Sequence, residues 1–94
     1  MARARLPGLR IAGIATCVPA RRFDNIADTT EFPPEEVRKV VGMAGVNQRH
    51  VADPGTCSSD LCLAAAERLL AETGCDRSTI DVLIFATQTA DYIL

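Results

Sequence analysis

The sequence predicts an α/β fold, and three segments carry that prediction. Val82 to Ala86 is a run of apolar residues without alternation, which is typical of a strand buried on both faces. Leu9 to Thr16 is a second strand-like segment, rich in apolar and β-branched residues. Between them, residues 58–73 carry apolar side chains at helical spacing. The predicted order along the chain is strand, short helix, long helix, strand.

The short helix is predicted from Pro34 to about Val41. Proline suits the first helical position, and Glu35 and Glu36 favour the positive N-terminal end of the helix dipole. Gly42 is the predicted end of this helix, because glycine readily adopts the left-handed conformation that terminates helices.

The long helix has the clearest boundaries. Thr56, Ser58 and Ser59 offer hydroxyl groups that can cap its start, and Asp60 suits its first turn. Gly74 follows the last helical residue, where a left-handed glycine commonly ends a helix. The sequence therefore predicts a helix of about four turns.

The connections are predicted from turn residues and polarity. Pro19 ends the first strand, and residues 21–30 form a polar connection with a single helical turn at 25–28. Residues 45–55 are predicted as a loop or short strand, and residues 76–80 as a tight connection into the last strand. Residues 1–8 are predicted as a tail.

Composition excludes several classes of function. The chain has 94 residues, 48% hydrophobic and 23% charged, with a net charge of −2 and no cluster of basic and aromatic residues, so we expect no nucleic-acid partner. No apolar stretch approaches the roughly 20 residues of a membrane span. The four cysteines form no C-x-x-C pair and there is one histidine, which argues against a zinc site. Reduced thiols and a cytoplasmic location are expected.

Two apolar strands sharing one long helix would leave one face of their sheet bare, and a large exposed apolar patch is abnormal in a monomer. We therefore expect the chain to be the front part of a larger enzyme, with residues 9–94 forming a partial N-terminal half of one domain. Within the chain, His50 is expected to be structural. Cys57 lies at a helix start, which lowers a thiol pKa, but no base is evident beside it. We expect these 94 residues alone to be inactive.

Taken together, several segments resemble the ketoacyl-ACP synthase III group of the thiolase superfamily. In order, the matching segments are Ile11–Pro19, Asn25, Gly45–Ala52, Thr56–Asp60 and Ile80–Asp91. The resemblance implies a thiolase-like fold of α-β-α-β-α layers, of which this chain would be the N-terminal part. It also implies a homodimer.

The resemblance further implies a decarboxylative Claisen condensation through an acylated cysteine that lies beyond residue 94. No catalytic residue is therefore assigned here, and the four cysteines of the chain do not match the nucleophile. The implied substrates are thioesters of coenzyme A or acyl carrier protein, with no tightly bound cofactor and with acyl carrier protein as a partner. At the position of Leu94, the family places a residue that reaches the partner subunit's acyl pocket, so Leu94 is the predicted substrate-binding residue.

One departure from the family concerns the nucleotide of coenzyme A. Well-known members hold it with a Trp and an Arg on the helix before the Gly45-Val46 motif, whereas this chain has no Trp and carries Met43 two positions before Gly45. Arg38 and Lys39 are charges suited to the end of the helix. A carrier-protein donor is therefore favoured over coenzyme A. The alternatives are a hydroxymethylglutaryl-CoA-synthase-like enzyme and a non-catalytic partner subunit or small α/β interaction module.

Overall fold

The computed structural model describes residues 1–92 of the chain. These residues form two α-helices, one small sheet and one short 3-10 helix, and most of the described chain lies outside these elements. In chain order the elements are β1 (Arg22–Asp24), α1 (Pro34–Ala44), β2 (Gln48–His50), α2 (Ser58–Thr73) and the 3-10 helix Arg77–Thr79.

Strands β1 and β2 form an antiparallel ribbon, and α1 lies between them along the chain. Arg22 pairs with His50 and Asp24 with Gln48, and the backbone N–H of Val51 extends the ladder by donating to the carbonyl of Arg21 at 2.9 Å. The prediction of a loop or short strand at 45–55 is confirmed as a strand. The prediction that residues 21–30 form a polar connection is wrong at its start. Residues 22–24 form strand β1 there, because β2, which follows α1 along the chain, supplies its hydrogen-bonding partner.

Helix α1 begins at Pro34 as predicted, with Glu35 and Glu36 in its first turn. It ends at Ala44, beyond the predicted end at Gly42. Gly45, and not Gly42, terminates the helix. Gly45 adopts the left-handed conformation with φ of 71° and donates its N–H to the carbonyl of Val41. Gly42 is instead accommodated within the helix.

Helix α2 spans Ser58–Thr73 as predicted, and Gly74 follows it with φ of 66°. Its predicted hydroxyl caps are wrong. The cap position belongs to Cys57, whose backbone N–H donates to the carboxylate of Asp60 at 2.8 Å. The apolar stripe predicted for this helix is confirmed in part: Leu61, Ala65, Leu69 and Leu70 are half-buried, whereas Cys62 and Ala66, predicted on the same stripe, are exposed.

The predicted strands at 9–16 and 82–86 are not present as strands among residues 1–92. Neither segment donates or accepts a backbone hydrogen bond within the described chain, and strands exist only where a neighbour completes the ladder. Their side chains are correspondingly exposed: Ile11 is 82% exposed and Ile84 is 87% exposed.

The described residues enclose little core. Val37 and Val41 on α1 are the buried hydrophobic residues there, and α2 has no fully buried side chain. The radius of gyration is 18.9 Å, whereas a compact domain of this length would have about 12 Å. So little packing within residues 1–92 predicts low stability for these residues on their own.

Segment 9–16 is held against α2 at Gly13. A Cβ atom placed on Gly13 would lie 2.8 Å from Cδ1 of Leu69 and 2.9 Å from Cγ2 of Thr73. Both distances are shorter than real Cβ contacts, so the absence of a side chain permits this approach.

We expect Gly13→Ala to lower the free energy of unfolding by about 1 kcal/mol, the low end of the cost of overpacking, because the added Cβ must displace the ends of the Leu69 and Thr73 side chains. Gly42→Ala is the matched control, since Gly42 lies in α1 with nothing within 4 Å of an added Cβ. That substitution should raise the free energy of unfolding by about 1 kcal/mol through helix propensity. Urea unfolding followed by circular dichroism measures both, and a Gly13→Ala variant at least as stable as the wild type would refute the close approach.

Candidate functional site

An open apolar groove of about 520 Å³ lies between α1 and the β-ribbon. Aliphatic and aromatic side chains form most of its wall: Phe32, Val37, Val40, Val41, Ala44 and Val46. Four residues add the polar lining: Asn25, Thr29, Glu36 and Arg49. A mostly apolar groove with a few polar side chains is a typical candidate binding surface, and the polar side chains at its end determine what it could recognise.

Asn25 is the hub of that polar end. Its side-chain amide donates to the carbonyl of Val46 at 2.8 Å, and its amide oxygen accepts a hydrogen bond from the guanidinium of Arg49. Its backbone N–H donates to the carbonyl of Asn47 at 2.9 Å. Asn25 is also the buried polar residue of the described chain, at 9% exposure. These bonds use both ends of the amide, as a buried asparagine requires.

Arg49 is fixed from a second side. Its guanidinium carbon lies 4.2 Å from the ring centroid of Phe23, the residue that pairs with it across the ribbon. A cation over an aromatic face is attracted by the ring quadrupole. Arg49 is thus held by its ring partner and by Asn25, which is an arrangement that stabilises structure.

The turn after β1 is organised by a carboxylate. Asp24 accepts hydrogen bonds from the backbone N–H groups of Ile26 and Ala27, both at 2.9 Å, and these bonds hold the pKa of Asp24 below its usual value. The chain between 25 and 28 forms a turn at the place where a single helical turn was predicted.

A second polar cluster joins the start of α2 to the segment after residue 86. The hydroxyl groups of Ser58 and Thr89 are 2.7 Å apart, and the Ser59 hydroxyl donates to the carboxylate of Asp91. Within the segment, the backbone N–H of Thr89 donates to the hydroxyl of Thr87 at 3.0 Å. We call this set the α2 cap cluster: Ser58, Ser59, Thr87, Thr89 and Asp91.

Carboxylates of this region act on Cys57. The negative charge of Asp91, followed by partial burial and by Asp60, raises the pKa of the Cys57 thiol. A helix start alone would lower it. The direction of the shift therefore opposes the expectation from helix position, and Cys57 is poorly suited to act as a thiolate nucleophile at neutral pH.

Comparisons with known proteins agree with this geometry. No protein-family model matches the chain. The chain is 33% identical over 87 residues to a β-ketoacyl-[acyl-carrier-protein] synthase III of Bordetella petrii, an alignment that covers 88% of this chain and 26% of the relative. The crystal structure of a 3-oxoacyl-(acyl-carrier protein) synthase from Burkholderia xenovorans LB400 superposes with a TM-score of 0.77 and 45% identity. The superposed region covers 86% of this chain and 24% of the Burkholderia synthase chain.

The resemblance to ketoacyl-ACP synthase III is confirmed. The chain spans about a quarter of the length of the relatives that it matches. At 45% identity, the agreement with the Burkholderia synthase extends beyond the bare fold to the sequence of the matched segments.

The structure also shows where the other residues named in the sequence predictions lie. His50 is exposed and its Nδ1 lies 2.6 Å from the carbonyl oxygen of Pro19, which fits the expected structural role. Arg38 and Lys39 are exposed and lie inside α1, away from the last turn where they were predicted. The predicted substrate-binding residue Leu94 lies outside the described residues.

The four cysteines are free, and Cys57, Cys62 and Cys75 are exposed while Cys17 is half-buried. Free cysteines are commonly buried in proteins, but these three are exposed because the described chain encloses too little core. Among residues 1–92, no group of histidine, cysteine and acidic side chains could hold a metal ion. No helix in that range has the length and apolarity needed to cross a membrane.

Sequence reasoning missed two contacts that organise this synthase III-like segment. Asn25 was noted only as a matching position, and its pairing with Arg49 joins residues 24 positions apart. Ser59 was assigned to capping, yet its hydroxyl bonds Asp91, 32 positions away. Asn25 and Ser59 are polar residues in segments that resemble the family, and this was the sequence signal for them. Their spacing along the chain does not indicate that they bond Arg49 and Asp91.

Asn25→Ala should lower the free energy of unfolding by roughly 2–4 kcal/mol, since it removes one neutral and one charge-assisted hydrogen bond. Asn47→Ala is the matched control, because Asn47 is exposed and its side chain makes no hydrogen bond within residues 1–92. The control should stay within about 0.5 kcal/mol of the wild type. Chemical denaturation measures both, and equal effects of the two substitutions would contradict the role of Asn25 as a hub.

The raised pKa of Cys57 gives a prediction on thiol reactivity. Asp91→Asn removes the largest cause of the shift, so the pKa should fall, the thiolate fraction at neutral pH should rise and alkylation by iodoacetamide should become faster. Peptide-resolved mass spectrometry measures the rate, with Cys75 as the internal control. An unchanged rate at Cys57 would show that Asp91 does not act on this thiol.

Proposed function

We propose that this chain is the front part of a ketoacyl-ACP synthase III-like condensing enzyme. The observation that carries the proposal is the match to the Burkholderia synthase, with a TM-score of 0.77 at 45% identity over 86% of this chain. The proposed reaction is a decarboxylative Claisen condensation of two acyl thioesters. Since the chain spans about a quarter of its relatives, the proposal assigns most of the catalytic machinery to sequence outside these 94 residues.

In the proposed reaction, a cysteine thiolate attacks the thioester of the acyl donor and expels the donor's thiol. The extender thioester then loses CO₂, and the enolate formed attacks the acyl-cysteine carbonyl and releases the thiolate. This chemistry needs a cysteine with a lowered pKa. The raised pKa of Cys57 makes this thiol a poor nucleophile, and the resemblance to synthase III is the reason for proposing a nucleophile beyond residue 94.

The proposed architecture is a thiolase-like stack of α-β-α-β-α layers in a homodimer. In it, segments 9–16 and 82–86 become strands of one mixed sheet, with strands from later sequence between them. Their exposed apolar side chains and free backbone groups suit burial on both faces. A cytoplasmic location belongs to the same proposal, because four free thiols suit a reducing compartment.

The proposed acyl donor is a thioester of acyl carrier protein. The basis is the composition of α1 and its end, where no Trp is available to stack on adenine and Met43 stands two positions before Gly45. Met43 is 80% exposed and uncharged, so it supplies neither an ion pair nor a hydrogen bond to phosphate. Leu94 is proposed as a wall of the acyl pocket.

The enzyme encoded by the full reading frame should release CO₂ and form a ketoacyl product from an acyl donor and an extender carried on acyl carrier protein. Its kcat/KM should be about 5- to 150-fold higher with carrier-protein donors than with coenzyme A donors, corresponding to about 1–3 kcal/mol of missing nucleotide contacts. Replacing Cys17, Cys57, Cys62 and Cys75 by serine together should preserve turnover.

The two parts of this test fail separately. Absence of condensation with either class of donor would overturn the proposed function. Condensation with equal kcat/KM for both classes would leave the function standing and overturn the donor preference. Loss of turnover on changing the four cysteines, with folding retained, would place the nucleophile inside this chain.

A further inference from the structure

We draw no further inference here: the strongest candidate, the open apolar groove between α1 and the β-ribbon, carries none, because Glu36 and Arg49 in its lining have opposite charges and nothing in the structure of residues 1–92 shows what covers it.

Discussion

The main physical constraint on this chain is that the backbone groups of segments 9–16 and 82–86 have no hydrogen-bonding partners within residues 1–92. A buried strand cannot leave such groups unpaired, because each costs free energy comparable to a lost hydrogen bond. The same segments carry exposed Ile11 and Ile84. Burial of these side chains therefore requires strands and covering surfaces from outside the described residues, and the comparison proteins are about four times as long as this chain.

Within the described chain, small networks of polar side chains fix the conformation that a large hydrophobic core would otherwise fix. Asn25 joins the end of β1 to Val46 and Arg49 beside and within β2. The α2 cap cluster joins residues 89 and 91 to the start of α2. Both networks join residues that are distant in sequence. Their contribution is geometric: they hold the ends of elements in place while the apolar faces of α1 and α2 remain largely exposed.

The similarity to synthase III also supports the condensing enzyme over the alternatives of a hydroxymethylglutaryl-CoA-synthase-like enzyme and an interaction module.

Local signals predicted the helices well because their causes are local. Pro34 starts α1 and Gly74 ends α2, as steric rules for proline and glycine require. The end of α1 was misplaced because two glycines, Gly42 and Gly45, both fit the rule and only tertiary context selects one. Apolar runs predicted burial of segments 9–16 and 82–86, but a ladder needs a partner that sequence alone does not supply. The cap cluster escaped prediction for a similar reason, since a serine at a helix start is equally suited to capping and to a distant carboxylate.

We propose that this chain is part of a condensing enzyme whose nucleophile lies beyond residue 94. The most direct measurement is peptide mapping by mass spectrometry of the full-length protein after incubation with an acyl thioester and no extender, so that the acyl-enzyme accumulates. We predict one acyl group per subunit on a cysteine outside these 94 residues. Stoichiometric acylation of Cys17, Cys57, Cys62 or Cys75, or no acyl-enzyme at all, would contradict the claim.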